Sequence, residues 1–135
     1  MSDAANCVLY VDDDELSLMV MNMLLVDQMN LPYLFTFNDS SHFMERVEEL
    51  PHKPDVIFLD IHVKPRSGFE MLRLLREGSF ADTPIIAMTA SVMNEEVEQL
   101  KEAGFDGVIA KPINLDRFPD VWYRLLNGEV IWDIT

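Results

Sequence analysis

Four apolar runs of this chain each end in a side chain able to handle a charged oxygen. The run 7–11 leads into Asp12-Asp13-Asp14, 56–59 ends at Asp60, 84–88 ends at Thr89, and 107–110 ends at Lys111-Pro112. In a parallel sheet the carboxyl ends of the strands share one edge, and ligands bind there. Acids, one hydroxyl and one amine then converge, a set that suits a magnesium ion and a phosphoryl group. A carboxylate at a strand end can serve as metal ligand, base or nucleophile, and carboxylates form acyl phosphates. A phosphoryl donor is negative, so its approach to Asp60 among other acids calls for a divalent cation. Magnesium takes oxygen ligands, often one or two carboxylates beside phosphate oxygens, and Asp12, Asp13 and Asp60 offer them. Lys111 adds a point charge for a phosphate oxygen, and Thr89 a hydroxyl for another. Placement and charge neutralisation are what phosphoryl transfer asks of a protein. Each element alone has a plainer use: an aspartate after a strand caps a helix, and Lys-Pro makes a turn. The specific signal is their order, after the first, third, fourth and fifth apolar runs.

Those runs lie at 7–11, 33–37, 56–59, 85–88 and 108–110. They are short and mostly continuous, as strands covered on both faces are. Helical spacing fills the intervals: Leu16, Met19, Val20, Met23 and Leu24; Phe43, Val47 and Leu50; Phe69, Leu72 and Leu75; Val97 and Leu100; Leu115, Phe118, Trp122, Leu125 and Leu126. These stripes are expected to face the core. The segment 38–41 offers caps for the second helix, and Asp14 for the first. Gly78 and Gly104 sit where helices should end. Asn94 opens the fourth helix, Asn114 the fifth, and Asn127-Gly128 closes it. Alternating strands and helices with short links imply an α/β fold, a parallel sheet with helices on both faces.

The length of 135 residues fits one domain. Residues 1–128 form that domain in this reading, and 129–135 an apolar tail. A net charge of −14 argues against nucleic acid as a partner. No apolar stretch is long enough to span a membrane, and the N-terminus lacks a secretory pattern. One cysteine, Cys7, rules out an internal disulfide framework and reads as a small core residue. A cytoplasmic protein is expected.

The residues Val11-Asp12-Asp13-Asp14, Leu59-Asp60, Gly68, Met88-Thr89-Ala90 and Lys111-Pro112-Ile113 resemble the receiver domain of two-component response regulators, over about residues 7–127. The resemblance implies a flavodoxin-like, five-stranded parallel sheet of order 2-1-3-4-5 flanked by five helices. It implies that Asp60 accepts a phosphoryl group from a histidine kinase or a histidine phosphotransfer protein. Asp12, Asp13, Asp60 and the backbone carbonyl of His62 would hold Mg²⁺. Thr89 and Lys111 would contact the phosphoryl group, and the Lys111–Pro112 bond would be cis. The chain departs from the pattern twice. Receivers usually carry Met-Pro at the third and fourth positions after the acceptor, where this chain has Val63-Lys64 and then Pro65. They often carry an aromatic residue three positions before the lysine, where this chain has Val108. A threonine–ring switch therefore lacks its ring.

His42 and His52 read as surface residues, and His62 either as an exposed loop side chain beside the acceptor or, as the resemblance implies, as a position that tunes phosphoryl lifetime. In the tail, Trp132 and Ile134 either fold back onto the domain or offer a strand to a partner or to a second copy, as in a homodimer. The function expected is a stand-alone phosphoryl-accepting signalling module acting on a downstream protein or within a phosphorelay, not an enzyme turning over a substrate. Two alternatives stand beside it. One is a phosphohydrolase of the haloacid dehalogenase type, and the other a receiver-like interaction domain that is never phosphorylated.

Overall fold

Each apolar run becomes a strand because both of its faces are covered. The structure, a computed structural model, describes residues 6–132. Strands β1 (Cys7–Val11), β2 (Tyr33–Phe37), β3 (Val56–Asp60), β4 (Ile85–Thr89) and β5 (Gly107–Ala110) form one parallel sheet in the order β2-β1-β3-β4-β5. Helices α1 (Glu15–Asn22), α2 (Phe43–Glu48), α3 (Gly68–Glu77), α4 (Asn94–Ala103) and α5 (Phe118–Leu126) connect and flank them. This is the flavodoxin-like arrangement expected from the chain. Residues of β1, β3 and β4 are buried throughout, while the edge strand β2 exposes Tyr33 and Thr36.

Strand periodicity divides the core in two. Leu9, Val11, Ile57 and Leu59 pack with Phe43, Leu72 and Leu100 beneath α2, α3 and α4. Val8, Tyr10 and Phe58 pack with Met21, Leu24 and Trp122 beneath α1 and α5. The register pairs Val11 with Leu59, Asp60 with Met88, and Thr89 with Ala110. Asp12, Asp60, Thr89 and Lys111 thereby reach the same edge.

The helices correct several expectations. In α1 part of the expected core stripe points outward: Leu16 is 66% and Met19 68% exposed, and Val20 and Met23 are half-buried, while Leu24 is buried as expected. Ser17, Met21 and Leu25 face in beside it. The reason lies at the helix start. Asp14 caps it, accepting from Leu16 N at 3.2 Å, and also takes the Ser17 hydroxyl at 2.7 Å, which turns position 17 inward. The chain then widens into a π-helical stretch, Met23–Gln28, which carries Leu24 and Leu25 onto the sheet. In α2, the segment 38–41 supplies no cap, and His42 takes that place in a left-handed conformation. Asp39 is engaged elsewhere, by Ser41 and by Arg46 at 2.8 Å. Leu50 lies beyond the end of α2 and is half-buried. Asn94 opens α4 as expected, as its first residue. Asn114 accepts from Asp116 N and Arg117 N in a turn ahead of α5, which leaves Leu115 outside the helix and 49% exposed. Gly78, Gly104 and Gly128 close helices as expected, the last two at positive φ.

The tail folds back along β5. Ile131 N donates to the Asp106 carbonyl at 3.1 Å, and Val108 N donates to the Ile131 carbonyl at 2.7 Å. Ile131 is fully buried, and half-buried Trp132 lies under the Lys101 ammonium, 5.3 Å from its ring centroid. The expectation for Ile134 falls outside the described residues. Gly107 makes this closeness feasible, because an added Cβ would stand 2.3 Å from the Ile131 carbonyl oxygen. Gly107→Ala should therefore expel the tail and lower stability by about 1–3 kcal/mol. Urea unfolding checks the stability. Limited proteolysis checks the release, with cleavage beyond Gly128 in the variant and resistance in the native chain.

Candidate functional site

Asp12 follows β1 directly, and its N–H donates to the Phe37 carbonyl at 3.0 Å, extending the β2 pairing by one residue. Its side chain is fully buried. Oδ1 accepts from Asp14 N at 2.9 Å, and Oδ2 accepts from the Tyr10 hydroxyl. Asp13 is exposed beside it. Asp60, the last residue of β3, is 4% exposed, and its Oδ1 accepts from His62 N at 3.2 Å. Lys111 reaches over from the end of β5. Its Nζ lies 3.1 Å from Asp12 Oδ2, 3.3 Å from Asp12 Oδ1 and 3.7 Å from Asp60 Oδ2. The bond it makes to Pro112 is cis. Thr89 ends β4 almost fully buried; its Oγ1 accepts from Ser91 N at 3.1 Å, while its carbonyl accepts from Lys111 N at 2.8 Å. Thr89 and His62 share the wall of a cavity of about 310 Å³ that also touches Ile61, Phe69 and Leu100.

Oxygen atoms of Asp12, Asp13 and Asp60 lie within 4.8 Å of one another, close enough to share one cation. Three acids against one amine leave excess negative charge, with Asp12 and Asp60 buried and Asp13 exposed. Burial, and then the charge of Asp12, hold the Asp60 carboxyl above the ordinary carboxylate range, although His62 N–H and Lys111 pull it the other way. Burial pulls the Lys111 ammonium down, but the hydrogen bond and charge of Asp12, then the charges of Asp60 and Asp14, leave it above its usual value. Asp14 stands apart from the cluster as the cap of α1. Its carboxyl is lowered, chiefly by the Ser17 hydroxyl.

The neighbouring loop is strapped rather than open. Gly68 lets α3 begin against the end of β3, since an added Cβ would meet Ile61 Cα at 2.9 Å and the Asp60 carbonyl oxygen at 3.1 Å. The fully buried Ser40 hydroxyl donates to the Arg66 carbonyl at 2.7 Å and accepts from Arg66 N at 2.6 Å. Ser40 N donates to the Lys64 carbonyl at 3.1 Å. The unusual Val63-Lys64-Pro65 thus buries Val63, leaves the Lys64 side chain exposed, and turns through a cis Lys64–Pro65 bond. His42, His52 and His62 are exposed, with His52 stacked on Tyr33 at 3.8 Å. Cys7 is buried, which raises its thiol pKa to about 11. Val108 is fully buried with no aromatic ring beside Thr89 on β5.

Sequence reasoning brought Asp12, Asp13, Asp60, Thr89 and Lys111 to one edge, and the structure gathers them there. It overlooked Tyr10 and Ser17. A signal for Tyr10 was present: it lies two residues before Asp12, and alternate residues of a strand share a face.

The "Response regulator receiver domain" family matches residues 8–121. The chain belongs to that family. That sets aside the dehalogenase alternative. It is 35% identical over 68 residues to the polar-differentiation response regulator DivK of Brucella anthropi, a match covering 50% of this chain and 55% of that protein. It is 32% identical over 132 residues to the histidine-protein kinase BarA of Escherichia coli, covering 96% of this chain but 14% of that protein. The chain thus spans about half of the first relative and a small part of the second. Among solved structures, the chemotaxis response regulator CheY4 of Vibrio cholerae superposes with a TM-score of 0.74 at 26% identity, covering 88% of this chain and 97% of that one. The receiver domain of sensor kinase PA1611 from Pseudomonas aeruginosa, described with magnesium in its active-site cleft, shares the fold at TM-score 0.74 and 23% identity, covering 92% and 99%. No described helix is long and apolar enough to cross a membrane.

The raised Asp60 pKa carries a stability consequence. Below the ordinary carboxylate pKa, Asp60 is protonated in both the folded and the unfolded chain and costs nothing. As pH climbs through the ordinary value and then the raised one, the unfolded chain ionises first, and the fold acquires a penalty that persists at neutral pH. Asp60→Asn should remove it. Its Tm in metal-free buffer at pH 7 should exceed the native value by about 4 °C, roughly what 1 kcal/mol gives in a domain this size. The gap should narrow as pH falls. Thermal melts across pH measure it.

Proposed function

We propose that Asp60 accepts a phosphoryl group from a phosphohistidine of a histidine kinase or histidine phosphotransfer protein, and that the charge so gained is the signal. The single observation that carries the reading is the cluster itself: Asp60, Asp12 and Lys111 within hydrogen-bond or ion-pair distance at the carboxyl edge of a receiver fold. Oxygen atoms within 4.8 Å of one another, backed by excess negative charge, fit Mg²⁺. Asp12, Asp13, Asp60 and the His62 carbonyl would hold it. When bound, the ion neutralises phosphoryl oxygens that would otherwise be repelled.

The side chains divide the remaining work. Asp60 Oδ1 is occupied by His62 N–H, which leaves Oδ2 to bond to phosphorus. The phosphorus–nitrogen bond to the donor breaks, and the electron pair departs with the imidazole. Lys111 can then pass from Asp12 to a phosphoryl oxygen. Thr89 Oγ1 accepts from Ser91 N and donates to no partner among the described residues, which leaves its hydrogen for another oxygen. The pull on Thr89 and on the segment that follows it shifts the start of α4. With Val108 in the place of a ring, that segment carries the change without a rotating aromatic.

The outward face of α1 supports a protein donor. Leu16 and Leu115 border a groove of about 480 Å³ that reaches Lys111 and Pro112, and exposed Met19 extends the same helix face. An apolar rim beside a charged centre fits docking of a phosphohistidine-bearing helix.

Two experiments test this reading. Intact-mass measurement after incubation with acetyl phosphate and Mg²⁺ should show one added phosphoryl group on the native chain, and none on Asp60→Asn or with a chelator present. Failure of the native chain to gain the mass favours an interaction domain that is never phosphorylated. Leu16→Glu should reduce transfer from a phosphorylated histidine donor about tenfold, a loss of about 1.4 kcal/mol in docking, while labelling by acetyl phosphate stays at the native level.

A further inference from the structure

Tyr10 carries the only hydroxyl in β1. Its ring is fully buried and meets Phe58 edge-on, with centroids 6.3 Å apart. Phenylalanine would fill that space equally well, so packing does not account for the oxygen. A buried hydroxyl needs a partner, and this one donates to Asp12 Oδ2. A tyrosine holds its phenol hydrogen at neutral pH, so the hydroxyl is the donor of this pair.

The acceptor count on Asp12 shows what the bond does. A carboxylate offers about four lone-pair positions. Tyr10 and Lys111 approach Oδ2, and Asp14 N–H and Lys111 approach Oδ1. Asp12 is therefore saturated while Lys111 stays. These donors differ in kind. Lys111 stands on a flexible stem and is shared with Asp60. Tyr10 is wedged in the core and Asp14 N–H belongs to the backbone, so neither can follow a phosphoryl group. Once Lys111 withdraws, each Asp12 oxygen keeps one fixed donor and regains one open position.

We infer that Tyr10 is a positioning residue for the cation and phosphoryl site: its hydroxyl locks the Asp12 carboxylate so that a free lone pair faces the ion shared with Asp13 and Asp60. The inference rests on the proposed reading of the cluster. Partners behind a metal ligand commonly account for ten- to a hundredfold in affinity. Without the hydroxyl, a fully buried oxygen loses a donor and the carboxylate is free to turn.

Calorimetric titration with Mg²⁺ tests this on the native chain, on Tyr10→Phe, and on Tyr123→Phe as a control at an exposed tyrosine. The Mg²⁺ Kd of Tyr10→Phe should rise about tenfold, with circular dichroism unchanged and the control matching the native chain. A structural role alone would lower the melting temperature and leave the Kd in place. A second readout needs no folded variant: Mg²⁺ should perturb the ultraviolet tyrosine absorption of the native chain. A Tyr10→Phe Kd within twofold of native overturns the inference and leaves the proposed function standing, as does a native tyrosine spectrum blind to saturating Mg²⁺. A native chain that binds no Mg²⁺ overturns both.

Discussion

The edge of this sheet depends on one ammonium group spread between two carboxylates that solvent hardly reaches. Lys111 lies 3.1 Å from Asp12 and 3.7 Å from Asp60, whose exposures are 0% and 4%. Burying an ion costs several kcal/mol unless geometry and hydrogen bonds offset it. One lysine balances only one of the two charges, and Asp13 adds a third nearby. Backbone N–H groups of Asp14 and His62 and the Tyr10 hydroxyl supply the missing donors. They satisfy the oxygens without cancelling the charge. An arrangement of this kind is poor for stability and good for attracting a cation, so the fold tolerates tension where its chemistry is placed.

Much of the surrounding structure keeps that tension from relaxing. The strand ends cannot drift, since β1, β3 and β4 are buried on both faces and bonded in register. Gly68 brings α3 hard against the end of β3, and Ser40 clasps the following loop through both backbone groups of Arg66. At the far side, Ile131 pairs with the outer edge of β5, the strand that delivers Lys111, which would otherwise present unpaired backbone groups there. Gly107 is the local condition for that cover.

The strands and the cluster were legible in the sequence because four of the five apolar runs stop at polar side chains able to handle a charged oxygen. Such a signal survives without knowledge of tertiary contacts. The inward face of α1 was not legible. Residues 16–26 are apolar except at Ser17, Asn22 and nowhere else, so two different helical stripes satisfy the same spacing. A polar contact, Ser17 to Asp14, settles which one turns in. The start of α2 was hidden for a similar reason. Asp39 has the chemistry of a cap, but Arg46 claims it, with the guanidinium over the Phe37 ring at 4.1 Å. The part of Tyr10 was not legible, because periodicity reports which face a ring occupies and is silent on its hydroxyl. The tail was visible as apolar, while its seat on β5 requires the nearness of Gly107, a long-range fact.

The absence of a ring at position 108 bears on how charge at the edge reaches the surface under the proposed function. A rotating aromatic needs an empty pocket to enter. Here a cavity of about 310 Å³ lies beside Thr89, between His62 and Phe69 on one side and Leu100 on the other. Buried Val108 cannot fill it from β5 by turning a side chain outward and back. The space is instead bordered by Ser91, whose N–H is tied to Thr89 Oγ1. If Thr89 turns toward a phosphoryl oxygen, Ser91 is drawn with it, and the cavity provides room for the backbone itself to move. The coupling then runs through one hydrogen bond and the first turn of α4. Its range is set by the loop from Ala90 to Met93 rather than by a side-chain flip. Trp132 packs against the same core and lies beneath Lys101, in the last turn of α4, away from the segment that this coupling uses.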